Sequence, residues 1–350
     1  MNEMAEAREK RGAEREPLLS VRDLSVSLRS DEGLVQAVRN IGWDIYDGEV
    51  LAIVGESGSG KSVSVNTLLG LMRQDVAIVN SGHAEFGGRD LLNLGERELR
   101  EVRGKDISVI FQDPMASFNP VKTIGDQISE AIRVHDERAT RRWAWSRSIT
   151  LLSMVGVPNP ELRCKQYPHQ YSGGMRQRAM IAMAMANRPR LLIADEPTTA
   201  LDMTIQAQII DVLRLVQKET GGAIVLITHD LGLVAELADR VLVMYAGKIV
   251  ESAGVVELFA SPRHPYTRAL LESLPRIGDQ SDELRSISGQ MPSLVELPEG
   301  CAFHPRCSLS HDRQLCRELE PPLQETNSGS ERLSACHFSR ELDELDIFDR

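Results

Sequence analysis

The chain has 350 residues, 40 Lys and Arg against 51 Asp and Glu for a formal net charge of −11, and 42% hydrophobic residues. That length suits two domains with a large buried core, and the acidic balance without a clustered basic block argues against a nucleic-acid surface, which needs Lys and Arg to displace counterions. The longest apolar runs, such as Met180–Ala186 and Ala223–Ile227, fall far short of a bilayer span, and the first 17 residues lack the apolar core of a secretory signal. A cytosolic chain that does not itself cross a membrane is expected.

Residues 1–17 are polar and charged and read as a mobile tail. From Leu19 to Val54 the runs LSVRDLSVSL, AVRNIGWDIY and EVLAIVG are separated by Asp31-Glu32-Gly33 and Asp47-Gly48, which predicts strands joined by turns. A helix is expected from about Lys61, and buried strands at ISVIF (107–111), LLIAD (191–195), AIVLIT (223–228) and VLVMYA (241–246). Helical patterns separate these runs, as in a largely parallel sheet covered by helices. Residues 123–187 read as several helices without a strand, an insertion into the α/β core. Beyond Gly254, prolines at 262, 265, 275, 292, 298, 305, 321 and 322 punctuate a stretch of little periodicity, which places a domain boundary near 258.

Gly55-Glu56-Ser57-Gly58-Ser59-Gly60-Lys61-Ser62 fits the phosphate-binding pattern G-x-x-x-x-G-K-[ST] between an apolar strand and a helix. Glycines let backbone N–H groups curl around phosphates and the helix start adds its positive dipole end. Lys61 is expected to reach the β- and γ-phosphates and the Ser62 hydroxyl to ligate Mg²⁺. In LLIADEP (191–197), an apolar strand ends in two acids: Asp195 can hold Mg²⁺ through water, and Glu196 sits where a carboxylate polarises an attacking water.

Tyr171-Ser172-Gly173-Gly174-Met175-Arg176-Gln177-Arg178 opens a helix and offers a hydroxyl and backbone N–H groups to an anion. The segment resembles the signature of the ABC-type ATPases, usually Leu-Ser-Gly-Gly-Gln, with Tyr and Met as departures at its first and fifth positions. The resemblance implies that Ser172, Gly173 and Gly174 cap the γ-phosphate of ATP held by a partner subunit. It also implies that Gln112 (in VIFQDP) is the Q-loop glutamine sensing Mg²⁺ and water, that Ala200-Leu201-Asp202 is the D-loop crossing the dimer interface, and that His229 (in LITHD) contacts the γ-phosphate. The expected fold is therefore a P-loop ABC ATPase over 18–258: a RecA-like core, an antiparallel β subdomain and a helical subdomain at about 114–187. Each motif occurs once, so the chain carries two half-sites and needs a second ATPase subunit. The aromatic residue on which this family stacks adenine is missing between Asp23 and Gly42, which leaves Val35 or an aliphatic neighbour.

FQDPMASFNPVKTIGDQISEAI (111–132), YPHQYSGGMRQRAMIAMAMA (167–186), PTTALDMTIQAQIIDVL (197–213) and SPRHPYTRALLESLP (261–275) resemble the ATP-binding subunits of dipeptide, oligopeptide and nickel importers. That likeness implies ATP hydrolysis driving solute import from the cytoplasmic face of the membrane. The implied partners are a related, non-identical ATPase subunit, two membrane-spanning permease subunits and an extracytoplasmic binding protein, with no nucleic acid. A soluble ABC protein of translation or DNA repair is disfavoured by the single cassette.

The extension at 259–350 carries Cys301, Cys307, Cys316 and Cys336, spaced C-x5-C-x8-C-x19-C. Four gathered thiols in a reducing compartment point to metal ligation before disulfides. They suit either a Cys₄ iron–sulfur cluster or structural Zn²⁺, and His304, His311 and His337 keep mixed Cys/His ligation open. The segment resembles the C-terminal extension of oligopeptide-importer ATPases, some of which carry a 4Fe–4S cluster on such cysteines.

Overall fold

The computed structural model describes residues 16–31, 33–73, 75–199, 202–274, 287–310, 313–327 and 331–344. Most of the expected N-terminal tail, together with Ala200, Leu201 and His311, lies outside the described residues. In chain order, β1 (Leu19–Ser30), β2 (Gly33–Ile45) and β3 (Val50–Val54) lead into α1 (Lys61–Asn66). Next come β4 (Ala77–Phe86), β5 (Arg89–Asp90), α2 (Glu96–Val102) and β6 (Ile107–Ile110). Five helices follow without an intervening strand: α3 (Pro114–Ser117), α4 (Ile124–His135), α5 (Arg141–Met154), α6 (Pro160–Arg163) and α7 (Gly173–Ala184). Then β7 (Leu191–Asp195), α8 (Met203–Thr220), β8 (Ala223–Thr228), α9 (Leu231–Leu237), β9 (Arg240–Tyr245) and β10 (Lys248–Gly254) alternate. The remainder holds α10 (Val255–Ala260), α11 (Pro265–Glu272), α12 (Gln314–Glu318), β11 (Gln324–Glu325) and β12 (Leu333–Ser334).

The larger sheet runs β11-β12-β10-β9-β3-β8-β7-β6, and the smaller, antiparallel sheet runs β2-β1-β4-β5. From β9 to β6 the pairing is parallel, with Val54 opposite Thr228, Asp195 opposite Ile227 and Ile110 opposite Ala194. The carboxyl ends of β3, β8, β7 and β6 therefore finish side by side, the edge at which open α/β sheets bind ligands.

Alternation explains why these strands read as unbroken apolar runs. Ile224 and Leu226 of β8 point into the core shared with the helices, while Val225 and Ile227 point into the core shared with the smaller sheet. Both faces are covered, so every position is apolar, and each fully buried Val, Leu or Ile contributes about 1.5–3 kcal/mol. In the helical lobe α4 packs on α5. A Cβ on Gly125 would lie 2.6 Å from Cys164 Sγ and 2.8 Å from Trp145, so only glycine allows that approach. Cys164 is buried in this core, which pushes its thiol up to about 12 and leaves it unreactive.

Strands β4 and β10 were not apparent from the apolar runs. Strand β10 (KIVESAG) contains Glu251, fully buried, whose carboxylate accepts from the Arg263 N–H (2.7 Å), the His264 N–H (2.9 Å) and Arg332 Nη2 (3.0 Å). The proline-punctuated segment is thereby fastened to the sheet: β12 pairs with β10, and Tyr266, Phe303 and Ala335 share a core with Val241 and Val243 of β9. Among the described residues, no helix is long and apolar enough to cross a membrane.

Candidate functional site

After Val54 the chain turns through residues 55–60 into α1. Gly55 and Gly60 have φ of 154° and 101°, and a Cβ on either would stand 2.2 Å from a carbonyl oxygen, of Met244 and Ala37 respectively. No other residue fits at either point. Lys61 is 5% exposed, and its ammonium donates to the loop carbonyls of Gly55 (2.8 Å) and Glu56 (2.9 Å). Burial lowers its pKa, opposed by the charges of Glu196, Asp195 and Glu56, so an arriving phosphate meets a cation with little hydration to lose.

Asp195, at the end of β7, accepts from the Ser62 hydroxyl (2.7 Å), and Asn66 Nδ2 lies 3.5 Å from its other oxygen. Burial raises its pKa, and the hydrogen bonds from Ser62 and Asn66 offset this only in part. A buried carboxylate beside a hydroxyl is an oxygen donor set suited to a hard divalent cation such as Mg²⁺.

Glu196 has a left-handed backbone, φ 48°, costing about 1–3 kcal/mol for a non-glycine residue. Its N–H donates to Ile227 O at 2.8 Å. Its Oε2 accepts from Gln112 Nε2 and from Thr199 Oγ1, both at 2.8 Å, and His229 Nδ1 lies 3.4 Å from Oε1. The residues after β6, β7 and β8 thus meet on one carboxylate, bringing together Gln112, Glu196 and His229. Thr199 on Glu196 and Asn66 on Asp195 add to these groups and are not among the residues the sequence motifs single out. Thr199 follows Glu196 by three residues, the spacing at which a hydroxyl reaches back across a turn.

Ser172 caps α7, accepting from the Met175 N–H at 3.3 Å, and Ser172 and Gly173 are exposed. A Cβ on Gly174 would lie 2.9 Å from Ile205 Cγ2, which seats the signature against the first turn of α8. Asp202 caps that helix by accepting from the Ile205 N–H at 2.9 Å. Tyr171 and Met175, the two departures, pack into or against the helical-lobe core. Among the described residues, no hydrogen bond joins Ser172, Gly174 or Asp202 to Lys61, Asp195 or Glu196. Strand β2 passes the loop at Ala37, and the partly exposed Val35 lies two residues before it.

Cys301, Cys307, Cys316 and Cys336 all line one cavity of ≈ 20 Å³, with Phe303, Pro321 and Phe338 in the same wall. The four thiols expected from the sequence to gather thus border the same cavity, and thiolates are donors of the kind a cluster or zinc takes. Their placement differs from a finished metal site: among the described residues, no three His, Cys, Asp or Glu side chains are arranged to hold a metal ion. Apolar side chains share the lining, and burial raises all four thiols, Cys301 to about 11 and Cys336 to about 12. His304 Nδ1 and His337 Nε2 each lie 2.9 Å from a backbone carbonyl, of Cys301 and Leu319.

Residues 38–199 match the family profile described as ABC transporter, and residues 250–316 match that described as oligopeptide/dipeptide transporter, C-terminal region. The dipeptide transport ATP-binding protein DppD of Bacillus subtilis is 50% identical over 83% of this chain and 87% of its own length. DppD of Escherichia coli is 49% identical over 92% of this chain and 96% of its own. Among solved structures, a dimeric ATP-binding cassette in a post-hydrolysis state with ADP and Pi is similar at TM-score 0.61 and 25% identity, over 68% of this chain and 98% of that one. CbiO1 of Clostridium perfringens, part of an ABC transporter complex, is similar at TM-score 0.58 and 27% identity, over 70% of this chain and 92% of that one. With such relatives along nearly its whole length, the chain belongs to the ATP-hydrolysing ABC transporter family, in the branch that carries the oligopeptide/dipeptide transporter C-terminal region.

Proposed function

We propose that this chain is the ATP-hydrolysing subunit of a di- or oligopeptide importer, with residues 18–258 as the ATPase unit and 259–350 as its extension. The observation that carries this reading is the near-full-length likeness to dipeptide transport ATP-binding proteins together with a matched peptide-transporter C-terminal region.

The loop at 55–62 binds the phosphates of ATP, with Lys61 supplying positive charge at the β- and γ-positions. Ser62, Asp195 and Gln112 would hold Mg²⁺, which would supply positive charge to offset that of the triphosphate. Glu196, fixed by Gln112 and Thr199, accepts a proton from the attacking water while His229 orients the γ-phosphate. Ser172, Gly173 and Gly174 face the ATP of a second, related cassette, and Asp202 lies at that junction. Closure on two ATP molecules and reopening after hydrolysis then drive two permease subunits fed by an extracytoplasmic binding protein, with this chain peripheral on the cytoplasmic face of the membrane. Cys301, Cys307, Cys316 and Cys336 would hold a 4Fe–4S cluster, with zinc as the alternative, to brace the extension. Brown protein with visible absorbance after anaerobic purification supports the cluster, and colourless protein with stoichiometric zinc or no metal overturns it.

The test of transport is reconstitution with the permease subunits and the binding protein in proteoliposomes. Di- or oligopeptides are expected to stimulate ATP hydrolysis and accumulate in the lumen. Stimulation by nickel alone, with none by peptides, contradicts the peptide reading.

A further inference from the structure

Two side chains of the C-terminal extension reach the phosphate-binding loop and fasten its acidic residue. The Arg306 guanidinium grips the Glu56 carboxylate through two bonds, Nη1 to Oε2 at 2.9 Å and Nη2 to Oε1 at 3.0 Å. The arginine side chain is only 6% exposed. Its Nε donates to Ser288 O at 2.9 Å, and its charge lies 5.9 Å from the ring centres of both Tyr245 and Phe303. From the other side, the fully buried Tyr266 hydroxyl accepts the Glu56 backbone N–H at 2.8 Å. The Tyr266 N–H in turn donates to His264 Nδ1 at 3.1 Å. Side chain and backbone of one loop residue are thus held by residues 250 and 210 positions away.

A carboxylate in a loop built to bind phosphate works against its ligand, because it repels the anion and competes for the loop lysine. The charge of Glu56 does act on Lys61. A planar, bidentate arginine, pre-ordered by two aromatic rings, fixes the carboxylate's direction and cancels its charge. We propose that Arg306 is a positioning residue for the nucleotide site: it neutralises Glu56 and, with Tyr266, sets the entrance of the phosphate-binding loop, so that ATP affinity depends on the C-terminal extension. The inference rests on the reading of residues 55–62 as the ATP site.

The test measures Mg-ATP affinity by calorimetry, and kcat and KM for hydrolysis, on the full-length protein with its partner subunit. Arg306→Gln is expected to weaken ATP binding about tenfold, with kcat at saturating ATP changed less than about twofold. Glu56→Gln in the same chain is expected to restore affinity to within about threefold, because the uncancelled charge is gone. A merely structural tie does not predict that rescue. Tyr266→Phe, which leaves the Glu56 N–H without its acceptor, is expected to cost about threefold in affinity. Unchanged affinity in folded Arg306→Gln overturns the proposal, as does a double variant weaker than the single one. If Arg306→Gln does not fold, Arg306→Lys and Tyr266→Phe decide: weaker binding supports the proposal, and affinity equal to the unaltered protein overturns it. Lys61→Ala separates the two readings, because ATP binding that survives this change defeats the ATP-site assignment itself rather than the role of Arg306.

Discussion

At the carboxyl ends of the parallel strands, Ser62 bonds Asp195, Gln112 and Thr199 bond Glu196, and His229 lies beside it. Around the signature, among the described residues, Ser172 and Asp202 bond only the first-turn N–H groups of their own helices, and Ser172 and Gly173 face solvent. The first region is organised within one chain, and its charges already oppose one another. The second offers donors and finds no acceptor among the described residues of its own chain. On the proposed reading this is the difference between a site that binds nucleotide alone and a surface that acts on nucleotide held elsewhere, and a similar cassette was solved as a dimer with ADP and Pi.

The largest way to separate the two regions is at Glu196. Glu196→Gln removes the proposed proton acceptor and keeps its shape, so kcat is expected to fall about 10³-fold with ATP affinity little changed. Equal losses of kcat and affinity would place Glu196 in binding instead. Ser172→Arg should lower kcat about 10²-fold while the isolated subunit binds ATP normally, because on the proposed reading the missing contact belongs to another subunit's nucleotide. Weakened binding in the isolated subunit would count against a contact in trans. Thr199→Ala takes one hydrogen bond from Glu196 and is expected to cost about 1 kcal/mol, seen as a five- to tenfold drop in kcat. An unchanged kcat would show that Gln112 suffices.

The remaining effect is on stability rather than rate. Burial takes the His264 pKa from 6.5 down to about 3. The unfolded chain therefore binds this proton first, so the stability tied to the neutral ring is complete above about pH 6.5 and is lost as pH falls towards 3. The expected slope is about 1.4 kcal/mol per pH unit within that window. His264→Asn keeps an acceptor for the Tyr266 N–H without titrating, and denaturant unfolding at several pH values should show the slope reduced. Identical slopes in both proteins would contradict the assignment.

The legible parts of this molecule were those whose physics is local. β3, β7 and β8 are covered on both faces and therefore read as apolar runs, and the loop at 55–62 needs glycine at fixed spacing because its backbone takes positive φ within one strand–turn–helix. The convergence of Gln112, Glu196 and His229 followed from the order of motifs, since each lies just past a parallel strand and those strands are neighbours. β10 stayed hidden because Glu251 is buried in it, and donors that come later in the chain, the Arg263 and His264 N–H groups and Arg332, 81 positions on, make that burial tolerable. The grip of Arg306 and Tyr266 on Glu56 was equally hidden, because no periodicity records a contact across more than 200 residues. For the cysteines, composition identified the set, whereas no local pattern records that Phe303, Pro321 and Phe338 share the cavity wall with them.

The central claim is that one chain holds ATP and a second completes the site. The direct measurement is the mass in solution, by light scattering, of Glu196→Gln protein mixed with its co-purified cassette partner, with and without Mg-ATP. The account predicts separate subunits without nucleotide and a stable pair with ATP, lost again when Ser172→Arg is introduced into both chains' signatures at the equivalent position. Separate subunits at saturating ATP, with nucleotide bound to each, would contradict it.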